Sequence, residues 1–416
     1  MIYIKMQPKL AMHKYLGVAA IIASLSACNG STNSSITPNP PQVNNTVPLI
    51  ADSGYNGKAF NRMFVTVTIC QPGTNICQTI DHIMPDSGST GLRITKSSIQ
   101  LSGLPAITYQ GLPITQCMNY GGGYVYGGVV LADVRIGDES ATSIPLQIID
   151  DGDQSLVPDS CTSMATYLSF PDSGQRGNLG INPMTNPAND YTLVYSCESS
   201  DSCTELSNPV QQMPQTLNVN VISYFKQDNN GVIFSMPAIA NAPAESVVGQ
   251  MIFGIGTNSN NQVMESTVAV LGNPSSNMAN FTTNTGIQIT PAIIDSGTEF
   301  IYWYDALLPA CPEPFSYLYC PGKPGSIFEW GSMISNYSGG SSFFVQAGIA
   351  NWNFGGFPDS PVIPLLGSST TYLSNFSIYG FPFFFGKNIY LGFQGKGNSV
   401  SSTALGSSPA WGFVAN

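Results

Sequence analysis

The chain has little charge, and most of the charge it has is negative. Only 9 % of its 416 residues are Asp, Glu, Lys or Arg, and 24 acidic residues against 13 basic ones give a net charge of −11. A nucleic-acid-binding surface needs a stripe of basic side chains. The composition therefore predicts no nucleic-acid partner and fits an acidic protein outside the cytoplasm.

The sequence also lacks the motifs of several common hydrolases and metal proteins. It contains no Cys-x-x-Cys pair, no Gly-x-Ser-x-Gly elbow and no P-loop. A serine triad would have to use His82, which lies in a strand-like stretch and is interpreted as a strand residue. We predict no metal and no cofactor.

The N-terminus has the pattern of a secretion signal. Lys14 precedes a short apolar run, Leu16–Ala23, and small residues follow. This run is too short for a permanent transmembrane helix. We predict a signal peptide over residues 1–27.

The residues after the apolar run indicate a lipid anchor. Leu25-Ser26-Ala27-Cys28 resembles a bacterial lipobox, which makes Cys28 the lipidated residue. Residues 28–48 are rich in Ser, Thr, Asn and Pro and are predicted to be a flexible tether. With Asn29 after the anchor, we expect a protein of the bacterial cell envelope, anchored in the outer membrane. An ordinary signal peptide with a chance cysteine is the alternative.

Eight further cysteines remain, and an even number in an exported chain favours disulfides. Three pairs are close in sequence, the fourth is their remainder, and other connectivities stay open. Zinc is the weaker interpretation because His82 is the one histidine of the mature chain. The expected pairs are Cys70–Cys77, Cys117–Cys161, Cys197–Cys203 and Cys311–Cys320.

From Leu49 onward the pattern is that of β-structure. Met63–Cys70 alternates apolar and polar residues, and Gly231–Met236 is another strand candidate. Aromatic strands are expected between Phe381 and Phe393. Leu217–Gln227 is the best helix candidate.

Asp-Ser-Gly occurs four times, at Asp52, Asp86, Asp172 and Asp295. The tripeptide is common in turns, so context must separate the copies. Asp86 and Asp295 each follow an apolar stretch and continue as Ser-Gly-Ser or Ser-Gly-Thr. Asp52 and Asp172 are interpreted as plain turns.

A strand running into Asp-Ser-Gly-Ser/Thr twice in one chain resembles the pepsin-like aspartic peptidases. The stretch after Asp86 is also similar to that of an uncharacterised bacterial lipoprotein family, known as a domain of unknown function. The resemblance implies a mainly β, two-lobed fold with pseudo-two-fold symmetry and few short helices. The lobes would be residues 49–238 and 239–416.

Further segments resemble the family's elements in the same order. The flap hairpin corresponds to Tyr120–Gly123 with Gly128–Gly137. The hydrophobic-Gly elements behind the two catalytic loops correspond to Leu179-Gly180-Ile181 and Phe384-Phe385-Gly386. The end of the first lobe corresponds to Val221–Pro237, and the start of the second to Val247–Thr257.

The resemblance implies a catalytic pair, Asp86 and Asp295, that shares one proton because two adjacent carboxylates cannot both ionise. One carboxylate activates a water molecule and the other protonates the peptide carbonyl oxygen. Tyr120 would be the flap tyrosine, with Tyr124 as the alternative. The implied partner is a peptide or protein substrate, and the protein is expected to be a monomer.

Six neighbours of the two aspartates support the pair in the family. The residues directly after the aspartates brace the two loops, the glycines let backbone N–H groups approach the carboxylates, and the hydroxyls that follow bind the outer carboxylate oxygens. In this chain they are Ser87 and Ser296, Gly88 and Gly297, and Ser89 and Thr298.

Three residues depart from the family pattern. Pro85 precedes the first motif and lacks an N–H group, Glu299 adds a carboxylate after the second, and Arg93 replaces an aromatic or aliphatic residue. The leading hypothesis is an aspartic endopeptidase. The alternative is an inactive member of the fold that binds a peptide, glycan or envelope partner between its lobes.

Overall fold

The structure is a computed structural model, and its bulk is β-strand. It describes residues 44–152, 154–184, 192–207, 217–240, 243–283, 288–339, 342–351, 360–369, 376–397 and 408–415. The predicted signal peptide and Cys28 lie outside the described residues. Within them, no helix has the length and apolar content needed to cross a membrane.

In chain order the first described strands are β1 (Thr46–Ala51), β2 (Met63–Cys70), β3 (Cys77–Asp86), β4 (Thr90–Thr95), β5 (Thr108–Tyr109), β6 (Leu112–Tyr120), β7 (Gly123–Ile136), β8 (Glu139–Ile149), β9 (Gly177–Ile181), β10 (Thr192–Ser199), β11 (Ser202–Glu205) and β12 (Gly231–Met236). They are followed by β13 (Val247–Phe253), β14 (Val268–Leu271), β15 (Ala279–Thr283), β16 (Gln288–Ile294), β17 (Ile301–Tyr302), β18 (Ile327–Ser335), β19 (Ser342–Ala350), β20 (Gly367–Ser368), β21 (Ser377–Tyr379), β22 (Lys387–Gly392) and β23 (Ala410–Ala415). A short α-helix covers Asp159–Thr162, and 3₁₀ turns cover Lys96–Ser98, Pro171–Ser173, Val221–Tyr224 and Phe381–Phe384.

The strands form two sheets. The larger runs β11-β10-β6-β7-β8-β4-β9-β3-β2-β1-β13-β12-β22-β23-β14, with β5 attached to β6. Because β7 also pairs with β2, the strands β2, β7, β8, β4, β9 and β3 close into a six-stranded barrel. The smaller sheet runs β19-β18-β15-β16-β21-β17-β20.

The middle of the larger sheet joins distant parts of the chain. β13 pairs with β1 on one side and β12 on the other, and β12 pairs with β22. One apolar core contains Leu92 and Leu179 from the barrel together with Ile294, Phe381 and Trp411 from later in the chain. The described residues form one compact unit, and the division into lobes 49–238 and 239–416 stays a prediction.

The predicted strands Met63–Cys70 and Gly231–Met236 are confirmed as β2 and β12. β1 begins inside the predicted tether, because alternate burial of Val47 and Leu49 gives Thr46–Ala51 a strand pattern.

All four expected disulfides are confirmed. They link the ends of β2 and β3, β6 and the α-helix, β10 and β11, and a loop after β17.

Two local predictions are wrong. In the predicted helix, only Val221–Tyr224 forms a 3₁₀ turn, which Asn220 caps by accepting from the Ile222 N–H. Val219, Val221 and Ile222 are β-branched and buried, a composition that weakens helix. The aromatic segment beginning at Phe381 starts as a 3₁₀ turn rather than a strand, because Pro382 fits the first turn of a helix and donates no ladder hydrogen bond.

A buried carboxyl group lies at the start of β8. Glu139 is 3 % exposed and hydrogen-bonds with the Asp228 side chain. Burial, followed by the neighbouring charge and hydrogen bond of Asp228, raises the pKa of Glu139 to about 7. A pKa raised in the folded state stabilises the fold below the unfolded pKa of about 4.5 and loses this contribution as the pH rises through about 7.

We therefore expect Glu139→Gln, which stays neutral at every pH, to reduce the loss of stability between about pH 4.5 and 7. Allowing for solvent screening, the difference should be roughly 1–2 kcal/mol. Urea unfolding at several pH values measures it, with the exposed Glu205→Gln as control. Equal pH slopes for Glu139→Gln and the wild type would contradict this interpretation.

Candidate active site

The first motif lies in a loop between β3 and β4. Between these two strands lies β9, which is parallel to β3, with Asp86 opposite Gly180, and antiparallel to β4, with Gly91 opposite Gly180. The loop from Asp86 to Thr90 therefore projects from the ends of a three-stranded unit.

The second motif lies in a unit of the same form. Asp295 follows β16, β17 comes next along the chain, and β21 lies between them, parallel to β16 and antiparallel to β17. The Asp295 N–H donates to the Tyr379 carbonyl at 3.0 Å. The segment that crosses behind this loop is thus Ile378-Tyr379-Gly380.

The prediction that Phe384-Phe385-Gly386 takes this role is wrong. Phe384 belongs to the buried 3₁₀ turn, and Gly386 lies in the turn before β22 with a φ of 69°. Both segments fit a hydrophobic-hydrophobic-Gly pattern, so the sequence does not separate them. The space around the glycine distinguishes the two segments, because a Cβ atom on Gly380 would lie 2.0 Å from the Phe300 carbonyl oxygen.

The two loops hold each other through their serines. The Ser87 N–H donates to Ser296 Oγ at 3.0 Å, and the Ser296 N–H donates to Ser87 Oγ at 3.0 Å. Each hydroxyl then donates across the interface, Ser87 to the Ile294 carbonyl at 2.9 Å and Ser296 to the Pro85 carbonyl at 2.8 Å. Both serines are fully buried, so the loops are fixed relative to each other.

The crossed loops bring the two carboxyl groups together. A Cβ atom on Gly88 would lie 2.7 Å from Asp295 Cγ, and one on Gly297 would lie 2.8 Å from Asp86 Oδ1. Each glycine N–H donates to the Oδ1 of its own aspartate, at 2.8 Å for Asp86 and 2.9 Å for Asp295. Only glycine fits at either position.

The carboxyl pair shares a hydrogen bond, and its surroundings favour one negative charge rather than two. Removal of Asp295 from water, followed by the nearby Asp86 charge and the hydrogen bond with it, raises the pKa of Asp295 well above its usual value. Thr298 Oγ1 donates to Asp295 Oδ2 at 2.7 Å, and Ser89 Oγ donates to Asp86 Oδ2 at 2.5 Å. Gly88 is exposed, so solvent reaches the loop beside the pair.

Asn178, which lies on β9, makes the pair asymmetric. Its side-chain N–H group donates to Asp86 Oδ2 at 2.8 Å and contacts Ser89 Oγ at 3.1 Å and the Tyr120 hydroxyl at 2.9 Å. The second unit has Ile378 at the matching register, opposite Ile293 where Asn178 is opposite Met84. The negative charge is therefore better stabilised on Asp86.

Tyr120 ends β6, at the tip of the hairpin that β6 forms with β7. Its ring contacts Phe170 edge-on, and burial raises the pKa of its hydroxyl. Tyr124 is 4 % exposed and packs against Tyr167, in the cluster around the Cys117–Cys161 disulfide. Of the two tyrosines considered for the flap, Tyr120 is thus the one beside the carboxyl pair.

The departure at Arg93 puts a fully buried guanidinium near the site. Its hydrogen bonds go to neutral oxygens: Gln147 Oε1 at 2.9 Å, the Thr90 carbonyl at 2.7 Å and Asn218 Oδ1 at 3.2 Å. Its Cζ lies 5.8 Å from the centre of the Tyr120 ring. This buried positive charge acts on the hairpin tyrosine, where it lowers the pKa of the Tyr120 hydroxyl against the larger effect of burial.

The departures at Glu299 and Pro85 are also accommodated. Glu299 forms an ion pair with Arg62, which also donates to Gln175 Oε1 at 3.0 Å, so the added carboxylate has a counter-charge. The register of β3 with β2 ends at Ile83, so the missing N–H of Pro85 falls where β3 pairs with β9 alone.

The other two Asp-Ser-Gly copies lie away from the pair. Asp52 is in a bend with its carboxylate 3.6 Å from His82 Nε2, and Asp172 lies within a 3₁₀ turn and pairs with Lys58 at 2.7 Å. His82 lies in β3 and contacts Asp81 at 3.2 Å. No group of three or more His, Cys, Asp or Glu side chains among the described residues is arranged to hold a metal.

Sequence reasoning missed two residues of this site, Asn178 and Arg62. Asn178 carried a signal, because it is a polar residue directly before Leu179-Gly180 in a stretch expected to be apolar. Arg62 carried none, since its partner Glu299 is distant in sequence.

These elements define a mainly β protein in which two aspartate loops meet at one pair of carboxyl groups. The family model described as "Protein of unknown function (DUF3443)" matches residues 41–413, and the chain belongs to this family. Comparison with curated proteins finds no match.

The tight contact behind the second loop can be tested by Gly380→Ala. The added Cβ would meet the Phe300 and Thr298 carbonyl oxygens at 2.0 and 2.5 Å, so the unit must shift. We expect a loss of about 3 kcal/mol in the free energy of unfolding, measured by urea denaturation. Gly128→Ala in β7 is the control, because nothing lies within 4 Å of its added Cβ. Equal stability of the two variants would contradict the assignment of Gly380.

Proposed function

We propose that this protein is an aspartic-type endopeptidase that hydrolyses peptide bonds with Asp86, Asp295 and a water molecule. The observation that carries the proposal is the reciprocal serine bracing, which fixes two carboxyl groups against each other beside the exposed Gly88. Two plain turns would have no need of such bracing. The raised pKa of Asp295 supports a pair that keeps one proton.

The hydrogen bonds support different roles for the two carboxyl groups. Asp86 accepts from three described donors, Gly88, Ser89 and Asn178, and acts as the base that takes a proton from water. The water oxygen attacks the carbonyl carbon of the substrate while Asp295 gives its proton to the carbonyl oxygen. The intermediate is a gem-diol, and when it collapses the C–N bond breaks and the leaving nitrogen takes the proton held by Asp86. One hydroxyl of the diol returns its proton to Asp295, which gives the carboxylic acid product and restores the pair.

The same proposal includes a two-lobed, pepsin-like architecture with pseudo-two-fold symmetry. Its support is the repetition of one unit, a strand, an aspartate loop and a second strand with a third strand between them. The hairpin of β6 and β7 is the flap over the substrate, with Tyr120 at its tip. The substrate is a peptide or unfolded protein.

We further propose export and lipid anchoring at Cys28, in the outer membrane of a bacterial envelope. The four disulfides support an oxidising compartment, because such bonds are rare in the cytosol.

A non-catalytic cleft that binds a peptide, glycan or envelope partner is the second candidate. The observation that favours it is the pose of Tyr120, whose hydroxyl is bonded to Asn178 next to Asp86. In this pose the hairpin closes over the pair, as in a binding cleft.

Asp86→Asn and Asp295→Asn should each lower the cleavage of an unfolded protein by at least about a thousandfold, because either change removes the shared proton arrangement. Cleavage is measured at acidic pH with a fluorescently labelled unfolded substrate. Asp172→Asn, in a copy of the same tripeptide that forms an exposed turn, is the control and should keep full activity. Cleavage that persists in either Asn variant would contradict the proposal, as would a wild-type protein that cleaves nothing.

A further inference from the structure

We propose that Asn178 is a positioning residue that couples the β6–β7 hairpin to the carboxyl pair, holding the negative charge on Asp86 while Tyr120 is docked. This inference rests on the proposed function and deepens it. The bridge is direct, since one amide nitrogen lies 2.8 Å from Asp86 Oδ2 and 2.9 Å from the Tyr120 hydroxyl.

The number of available hydrogens makes the coupling specific. A side-chain amide has two N–H bonds, and the two nearest acceptors are the carboxylate and the phenol. Ser89 Oγ, which donates to Asp86 and can still accept through its lone pairs, contacts the same nitrogen at the longer distance of 3.1 Å. Movement of Tyr120 away from the pair would therefore free one amide N–H and loosen the hold on Asp86.

The burial of the Asn178 side chain does not favour stability. It is fully buried, and its Oδ1 has no hydrogen-bond partner among the described residues. A buried amide oxygen without a partner destabilises a fold, whereas the matching position of the second unit is occupied by apolar Ile378. The hydrogen bonds of the amide nitrogen to Asp86 and Tyr120 offset the cost of the unpartnered oxygen.

The charge around the pair comes from several elements. Arg93 on β4 lies opposite Asn178 in the strand register and reaches the Tyr120 ring. On the side of the second motif, Tyr302 on β17 interacts electrostatically with Asp295 and with the Arg62–Glu299 pair. Asn178→Leu changes none of these charges. A change in the titration of the carboxyl pair in this variant is therefore caused by the loss of the amide.

The test is a carbon-13 NMR titration of the Asp carboxyl groups in the full-length protein, with Asp86→Asn and Asp295→Asn spectra assigning the pair. Asn178→Leu should raise the lower apparent pKa of the pair by about one pH unit, because the carboxylate loses a donor. Asn261→Leu is the matched control, since Asn261 is equally buried and binds Phe253 and Thr257. It should leave the titration unchanged.

A double-variant cycle tests the link to the hairpin. Tyr120→Phe should shift the same titration less than Asn178→Leu does, and the double variant should shift it no further than Asn178→Leu alone. Urea unfolding of Asn178→Leu should show a midpoint no lower than that of the wild type. Additive shifts, or an unchanged titration in Asn178→Leu, would overturn the inference.

Cleavage by the same variants separates this inference from the proposed function. In an active enzyme the acidic limb of the kcat/KM profile should move with the titration, toward higher pH in Asn178→Leu. A wild type without cleavage would defeat the peptidase proposal while the titration still decides the role of Asn178. An active enzyme whose titration ignores Asn178 would defeat this inference alone.

Discussion

The crossed hydrogen bonds of Ser87 and Ser296 are the constraint on which the site depends. They join a loop of the six-stranded barrel to a loop of the second sheet, so the carboxyl groups meet at one fixed separation. Serine suits the task because its hydroxyl accepts one N–H while donating to a carbonyl. Burial keeps water from competing for these bonds. The glycines that follow are then required, because each lies against the opposite carboxyl group.

Two carboxyl groups held together repel each other when both are charged. The two groups of this pair differ in the number of hydrogen-bond donors around them. Asp86 accepts from three described donors and Asp295 from two, so the hydrogen bonds favour the negative charge of the pair on Asp86. The buried guanidinium of Arg93, reaching the Tyr120 ring, adds positive charge on the same side. An asymmetric pair of this kind can act as base and acid in one step.

Sequence reasoning found the parts of the site that repeat as motifs and missed those set by tertiary contact. Asp86 and Asp295 could be separated from Asp52 and Asp172 because an apolar strand precedes each of them. The mainly β class and the four disulfides followed from alternation and cysteine spacing. The crossing segment at Gly380 was misplaced because two stretches fit the same pattern, and space alone distinguishes them. The 3₁₀ turn at Val221–Tyr224 was overextended into a helix because burial of β-branched residues outweighs local periodicity.

The central claim is that Asp86 and Asp295 act as one unit on a peptide carbonyl. The most direct measurement is a crystal structure with a peptide in which a secondary alcohol replaces the scissile amide, as a mimic of the tetrahedral intermediate. The account predicts the alcohol oxygen within about 3 Å of a carboxyl oxygen of each aspartate, with the β6–β7 hairpin over the peptide. A peptide bound away from the pair, or an alcohol contacting neither carboxyl group, would contradict it.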